Sequence, residues 1–248
     1  MKKTALVTGG SQRVGRSICL GLANAGYTVA IHYNSSAAPA EALVAEIIAA
    51  GGRAAAVKAD LSNSAETRTL MQQAIDAIGP IGLLVNNASL FEEDSLEEID
   101  DETWDRHFAV HVKAPSLLAS DFAAQKPIAG LIINIIDERV WKLTPNFTSY
   151  TLSKSTLWTA TKTMAQALAP NIRVNAIGPG PTLPSYRQTQ EDFDEQLQAL
   201  LLKRSPDLSE FTNTILFYAG AKSVTGQMIC LDGGQHLGWQ TPDQAARE

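Results

Sequence analysis

A glycine-rich turn between an apolar run and an amphipathic segment is the feature that most narrows what this chain can fold into. Thr4–Thr8 reads as a short buried strand. It runs into Gly9-Gly10-Ser11-Gln12-Arg13-Val14-Gly15 and then into a helical pattern from Val14 to Ala25. Such a turn lets backbone N–H groups approach a pyrophosphate at the positive end of the helix. A tight strand-to-helix turn that needs glycine only for its backbone angles is the alternative reading of the same residues.

The alternation continues along the chain. Thr28–Tyr33, Ala54–Lys58, Leu83–Asn86, Leu131–Ile136, Ile172–Ile177 and Met228–Leu231 read as strands. Glu41–Ala50, Ala65–Ile78, Thr103–Ala124, Tyr150–Ala169, Phe193–Leu202 and Leu208–Tyr218 carry helical apolar spacing, and several end at Gly or Pro. Near-continuous apolar strands separated by helices mean an α/β protein with a parallel sheet covered on both faces. No linker or composition break interrupts the 248 residues, so one domain spanning 1–248 is expected.

Composition excludes several function classes. There are 20 Lys+Arg against 26 Asp+Glu, for a net charge of −6, and the basic residues are scattered, which argues against nucleic acid as a partner. The longest apolar stretch, Leu131–Ile136, is far shorter than the ~20 residues of a membrane span. Ala5-Leu6-Val7 after Met1-Lys2-Lys3 is too short for an export signal, so a soluble cytoplasmic chain with no membrane partner is expected. Cys19 and Cys230 lack Cys or His partners at metal-ligand spacing, and both are expected as buried, reduced thiols with no metal. The polar Thr241–Glu248 is expected to be loose.

The end of the second strand bears on cofactor choice. An acidic residue about 20 positions beyond the glycine turn would accept hydrogen bonds from an NAD ribose. Here the residues are His32-Tyr33-Asn34-Ser35-Ser36, and no Asp or Glu occurs until Glu41. A carboxylate would repel the 2′-phosphate of NADP, whereas Ser and Asn donors with nearby Arg13 can hold it, so NADPH is the expected cofactor. A plain polar loop is the alternative.

From Thr8-Gly9 through Gly15 the sequence resembles the short-chain dehydrogenase/reductase family. The likeness continues through Lys58-Ala59-Asp60-Leu61, Asn86-Asn87-Ala88-Ser89, Tyr150 with Lys154, Arg173-Val174-Asn175-Ala176-Ile177 with Pro179-Gly180, Thr225-Gly226-Gln227 and Asp232-Gly233-Gly234. It covers nearly the whole chain in the family's order. The resemblance implies a single extended Rossmann domain, doubly wound, with seven parallel strands and helices on both faces. It further implies Gly9, Val14 and Gly15 at the phosphates, Asp60 and Leu61 near the adenine, and Asn87 and Ala88 beside the cofactor. Pro179, Gly180 and Thr182 are implied beside the nicotinamide, and a homotetramer is the family's common assembly.

Tyr150 and Lys154 stand four apart at the start of a helical segment, so their side chains share one face. An ammonium near a phenol stabilises phenolate and is expected to lower the Tyr150 pKa toward neutrality, as a proton donor requires; Lys154 can also bond the nicotinamide ribose. A solvated surface pair is the bland alternative. Two departures from the family pattern are informative. The usual catalytic Ser stands thirteen residues before the Tyr, and here that residue is Asp137. A carboxyl can hold an amidine-like or guanidine-like nitrogen face and assist a proton on its way to a ring nitrogen, although a helix cap or solvated loop acid fits the same position. Arg13 replaces the middle glycine of the phosphate loop, where it can lie against the pyrophosphate and reach over it to a substrate.

Asp137, Arg13 and Asn87-Ala88-Ser89-Leu90-Phe91 together resemble the pteridine reductase branch of the family, dihydromonapterin reductase-like members included. That likeness implies that Phe91 stacks on a pterin and that Ser89 and Arg13 contact its edge as well as the cofactor phosphates. A core or loop-anchoring aromatic is the other reading of Phe91. His111 stands where much of the family has an Asn that orders a water on the Lys, and both a relay and a structural role are open to it. His107, four residues earlier, has no evident third ligand. The expected activity is NADPH-dependent reduction of a dihydropterin such as dihydromonapterin, dihydrobiopterin or dihydrofolate, with catalytic residues Asp137, Tyr150 and Lys154. A carbonyl reductase for acyl thioesters, sugars or steroids, and a non-catalytic dinucleotide sensor, are the rival readings. The segment 181–209, which should cover the substrate, is unreadable for shape.

Overall fold

The computed structural model describes residues 1–239, and the expectation for Thr241–Glu248 falls outside them. Seven strands are present among these residues: β1 (Thr4–Val7), β2 (Thr28–Tyr33), β3 (Arg53–Lys58), β4 (Leu83–Asn86), β5 (Gly130–Ile135), β6 (Ile172–Pro179) and β7 (Met228–Leu231). All pair in parallel, in the order β3-β2-β1-β4-β5-β6-β7. The chain winds outward from β1 to β3, returns to place β4 against β1, and winds outward the other way. That reversal opens a crevice beyond the carboxyl ends of β1 and β4, where open parallel sheets bind ligands.

The strands are apolar on both sides because both sides are covered. Ala5 and Val7 of β1, Leu83 and Val85 of β4 and Leu131 and Ile133 of β5 face one helical layer. Their alternates Leu6, Leu84 and Ile132 face the other. The first layer comprises α1 (Arg13–Asn24), α2 (Ala37–Ala49) and α8 (Leu208–Gly220), which contribute Ile18, Leu22, Leu43, Ile47, Phe211 and Ile215. The second comprises α3 (Ser64–Ile78), α5 (Ala114–Ala124) and α6 (Thr148–Leu168), which contribute Leu70, Leu118, Phe122 and Ala165. Each fully buried Leu, Ile or Phe stabilises the sandwich by roughly 1.5–3 kcal/mol. Asn134 is the polar exception on β5, and it is satisfied: it accepts from Asn86 Nδ2 at 2.8 Å and donates to Thr161 Oγ1 at 2.8 Å.

Most helix ends shift by one or two residues from the sequence reading, and three helices differ by more. α2 begins at Ala37 rather than Glu41, since Pro39 lies in the first turn, where a missing N–H removes no helical bond. The single helix expected over Thr103–Ala124 is α4 (Asp101–Phe108), capped by Asp100, then a wider π-helical turn (Ala109–Lys113), then α5. α7 (Gln190–Gln198) starts earlier than Phe193 because Thr189 and Asp192 form a reciprocal capping box. The thiols also differ from expectation: Cys19 is buried, but Cys230 is only half-buried, its thiol pushed up to about 12 by burial and by Asp232 nearby. No helix among the described residues is long and apolar enough to cross a membrane.

Candidate active site

The turn after β1 is held from both sides. Gly9 takes φ +59°, a left-handed conformation, and a Cβ on it would meet Ala88 Cα at 2.9 Å. A Cβ on Gly15 would lie 2.1 Å from the Gly9 carbonyl oxygen, so only glycine lets α1 start this close to the turn. Asn87 Nδ2 donates to the carbonyls of Thr8 and Gly9, and Thr8 Oγ1 accepts the N–H groups of Asn87 and Ala88. Asn87 and Ala88 therefore build the loop as well as bordering the cleft. Arg13 also has positive φ, +50°, so the glycine it replaces marked a true left-handed position.

His32 requires a correction. It borders the cleft, but its ring is spent on the fold: Nδ1 accepts the Gly9 N–H at 3.0 Å and Nε2 donates to the Ala59 carbonyl at 3.0 Å. Burial lowers its pKa to about 4, so it stays neutral and shapes the turn rather than offering a polar group to a ligand. Tyr33, Asn34, Ser35 and Ser36 line the same end of the cleft. Asp60 lies opposite, one carboxylate oxygen accepting both the N–H and the hydroxyl of Ser62, with Leu61 beside it.

At the other end, α6 brings Tyr150 and Lys154 to the floor of the cleft. The N-terminus of α6 is capped from outside the helix: the Asp94 carboxylate accepts the Ser149 N–H at 3.0 Å, and the Asp94 carbonyl accepts that of Phe147 at 3.0 Å. Tyr150 Oη donates to Asp137 Oδ2 at 2.7 Å, and the other oxygen of Asp137 accepts the Arg139 N–H at 2.9 Å. Lys154, 2% exposed, donates to the Ile135 carbonyl at 3.0 Å. Burial lowers its pKa to about 8, with Asp137 opposing that fall.

This geometry corrects the expected tuning of the phenol. The Tyr150 pKa is raised well above its ordinary value, first by burial and then by the Asp137 charge and hydrogen bond. What opposes the rise is the guanidinium of Arg139, then the Ser89 hydroxyl; Lys154 does not act as the chief tuner. Its ammonium lies 5.7 Å from the Tyr150 ring centroid and is bonded to a backbone carbonyl.

The loop after β4 is pinned by two histidines. His111 Nε2 accepts the Leu90 N–H at 3.0 Å and lies 3.0 Å from the Ser89 hydroxyl, while Nδ1 pairs with Ser153 Oγ at 2.8 Å. His107 repeats the pattern one turn earlier, with the Glu92 N–H on Nε2 and Ser149 Oγ at 2.7 Å from Nδ1. The two rings stack 5.4 Å apart across the π-helical turn and meet Tyr150 edge-on. His111 is thus a structural anchor, neutral because burial and Lys154 hold its pKa well below the usual value. Phe91, carried on the pinned loop, stacks on Phe147 with centroids 4.3 Å apart and meets Tyr150 edge-on at 4.8 Å.

The segment 181–189 crosses the cleft as a strap. Arg13 Nη2 donates to the carbonyls of Leu183 and Pro184 at 3.3 and 3.1 Å, and Arg187 Nη2 donates to the Phe91 carbonyl at 2.7 Å. Together these elements enclose one elongated cavity of about 900 Å³. Every residue proposed from the sequence for catalysis, cofactor or substrate borders it: Gly9, Arg13, Val14, Gly15, His32 to Ser36, Asp60, Leu61, Asn87, Ala88, Ser89, Phe91, Asp137, Tyr150, Lys154, Pro179, Gly180 and Thr182, whereas His107 and His111 are not among its lining residues. Arg139, Phe147 and Arg187 border it as well and were not anticipated. Phe147 had one available signal, an aromatic three residues before the Tyr; the two arginines had none.

The short chain dehydrogenase family model matches residues 3–195. The chain belongs to that family. It is accordingly an oxidoreductase, and its relatives divide in an informative way. FolM alternative dihydrofolate reductase 1 from Brucella suis, solved in complex with NADP, is 56% identical, with TM-score 0.95 over 98% of this chain and 99% of that one. The corresponding Brucella canis protein, also complexed with NADP, is 56% identical with TM-score 0.94, covering 97% and 96% of the two chains. The 3-oxoacyl-[acyl-carrier-protein] reductase FabG of Staphylococcus epidermidis is 33% identical over 96% of this chain and 100% of its own length. These likenesses support a short-chain dehydrogenase of the pteridine-reductase-like branch.

Proposed function

We propose that the chain is an NADPH-dependent reductase of dihydropterins, acting on a ring C=N bond to give the tetrahydro form. One observation carries the reading: a carboxylate, Asp137, is bonded to the catalytic phenol at 2.7 Å beside the aromatic Phe91–Phe147 stack. A pterin presents a flat bicycle with an amino-pyrimidine edge, which suits stacking and a carboxylate acceptor together. The residues also fit a phosphorylated dinucleotide. Gly9 and Gly15 leave the space that side chains would fill, and Tyr33 to Ser36 present amide and hydroxyl groups with no carboxylate. When bound, the nicotinamide supplies the hydride.

The chain's own residues handle position and proton. Lys154 and Asn87 hold the ribose end of the cofactor, and Pro179, Gly180 and Thr182 border the nicotinamide. Tyr150 Oη carries the proton for the ring nitrogen, while Asp137 holds that phenol and the pterin edge. Burial and the Asp137 charge hold that proton on the phenol, and Arg139 and then Ser89 oppose them only in part. Arg13, bonded to the strap, ties the phosphate loop to the cover of the substrate site. The reading carries a cytoplasmic homotetramer with it; light scattering of the purified protein tests the subunit count, and cell fractionation the location.

The FabG likeness favours a second reading, a carbonyl reductase of acyl thioesters. A panel of dihydropterin, dihydrofolate, ketone and acyl-thioester substrates separates the two, with turnover confined to the last two sinking the pterin assignment. A sensor without activity is disfavoured by the buried Tyr150 and Lys154 on one helix face.

NADPH is expected to be preferred over NADH by at least about tenfold in kcat/KM, the effect of roughly one charge-assisted contact to the 2′-phosphate. Equal values for both cofactors would assign Tyr33 to Ser36 to a plain polar loop. A pH dependence follows from Lys154. Its charge is lost as pH rises through about 8, so NADP affinity, followed by intrinsic fluorescence quenching, should weaken above that value in the wild type and be flat across it in Lys154→Met.

A further inference from the structure

His107 is wholly buried and is not among the residues lining the cleft, yet it joins the two elements that shape the substrate slot. Its Nε2 accepts the Glu92 N–H at 3.3 Å and its Nδ1 lies 2.7 Å from Ser149 Oγ. It thereby bridges the residue after Phe91 to the residue before Tyr150. A backbone N–H can only donate, which leaves Nε2 bare and puts the one ring proton on Nδ1. His111 makes the same bridge from Leu90 to Ser153, so Phe91 sits between two anchored N–H groups. The rings stack 5.4 Å apart, and two residues of chain span at most ~7 Å, so both bonds form in only one register of the loop.

The other ties on this loop come from the strap. Arg187 donates to the Phe91 carbonyl, and the Glu92 carboxylate takes the Tyr186 hydroxyl and lies 3.4 Å from Arg187. The Glu92 N–H is held by His107. The ring's charge is set by its surroundings. Burial lowers its pKa first; Asp94 and Glu92 from the loop oppose that fall, and Lys154 of α6 and Arg106 of its own helix add to it. His111 stacks on it and Tyr150 meets it edge-on. The ring is thus neutral at pH 7. It takes a proton only as pH falls below the ordinary histidine range, when a second N–H would face that of Glu92.

We infer that His107 is a positioning residue for the substrate side of the reaction: its bare Nε2 fixes Phe91 against Tyr150, and a proton on that nitrogen slackens the slot. The inference rests on the dihydropterin reading, in which Phe91 stacks on the substrate. The cofactor end is tied by different bonds, through Thr8, Asn87 and His32, so the effect should fall on pterin binding and spare NADP.

Two variants and one spectrum test it. His107→Phe keeps an aromatic ring and loses both bonds, whereas His107→Gln keeps an acceptor for the Glu92 N–H and cannot take a proton. With saturating NADPH at neutral pH, KM for dihydrobiopterin should rise about tenfold in His107→Phe, with kcat changing less and the NADP dissociation constant changing less than about twofold. His107→Gln should recover most of that KM. From about pH 7.5 to 5.5 the wild-type KM should rise at least about threefold more than that of His107→Gln. Changes from the cofactor phosphate, or from Glu138, whose pKa burial raises to about 7, are common to both proteins and cancel in the comparison. Ring 1H–15N correlation spectra should show His107 bare at Nε2 at neutral pH and protonated there as the wild-type KM rises.

A His107→Phe protein with wild-type KM, or one that loses pterin and NADP affinity alike, overturns the inference alone. Parallel pH profiles for wild type and His107→Gln overturn it as well. Should the variants fail to fold, the spectrum decides, and an Nε2 protonated at neutral pH, or a KM rise that precedes its protonation, overturns the inference. A wild type inactive on every dihydropterin overturns the functional reading and the inference with it.

Discussion

Tyr150→Phe is expected to lower kcat on a dihydropterin by roughly 100-fold or more, the usual contribution of a positioned general acid, while changing the NADPH dissociation constant less than about twofold. The substitution removes one atom. The phenyl ring keeps its edge contacts with Phe91, His107 and His111, and α6 keeps its external cap from Asp94, so the site's shape is retained. The group lost is the hydroxyl that donates to Asp137 Oδ2. That carboxylate is only partly buried, so water can replace the lost donor and folding should be little affected. Steady-state kinetics with a parallel titration of cofactor fluorescence separates the two quantities. Near-normal turnover would mean that water delivers the proton, or that the chain senses dinucleotide rather than using it.

The fold was legible because its determinants are local and repeated. Near-continuous apolar runs at β1, β4 and β5 can be satisfied only by helices on both faces, and the glycines at 9 and 15 announce a turn into which no side chain fits. The positions bordering the cleft were legible through the family pattern, which fixes order along the chain. What could not be read was charge across the site. Arg139 follows Asp137 by two residues and belongs to no motif of the sequence, yet the geometry makes it the foremost group opposing the rise in the Tyr150 pKa. Arg187 lies on a strap whose course depends on tertiary bonds to Phe91 and Arg13. His32 looked available because it stands near a ligand cleft, whereas both its ring nitrogens are taken up by loop groups; for His111, where a relay and a structural role were both open, the bonds of both ring nitrogens fit the structural one. The helix expected over Thr103–Ala124 runs through a wider π-helical turn at Ala109–Lys113, which carries His111 and which apolar periodicity does not reveal.

Asp137→Ser is the substitution that divides the pterin reading from its carbonyl-reductase rival, because it recreates the family's usual residue at that position. Dihydropterin turnover is expected to fall by about 100-fold, since Ser offers a hydroxyl where the amino-pyrimidine edge needs a carboxylate acceptor. Weak activity on a simple ketone should be kept or raised, because a hydroxyl supports a carbonyl oxygen and no longer sets a negative charge beside it. The pH profile should move too, and its sign is fixed by the site. Tyr150 acts as a donor only while protonated, so its activity is lost as pH rises through its pKa. In the wild type that pKa stands well above the ordinary value, partly through the Asp137 charge and hydrogen bond, so no alkaline limb from Tyr150 is expected in the working range. Removing Asp137 leaves Arg139 acting on the phenol with less opposition, which lowers the pKa and brings the alkaline limb to lower pH. Rates on both substrates across pH, for both proteins, carry the decision. Equal losses on pterin and ketone with an unmoved alkaline limb would make Asp137 a cap for the turn at Glu138–Val140, as its bond to the Arg139 N–H allows, and would leave the pterin assignment resting on the Phe91–Phe147 stack and Arg13.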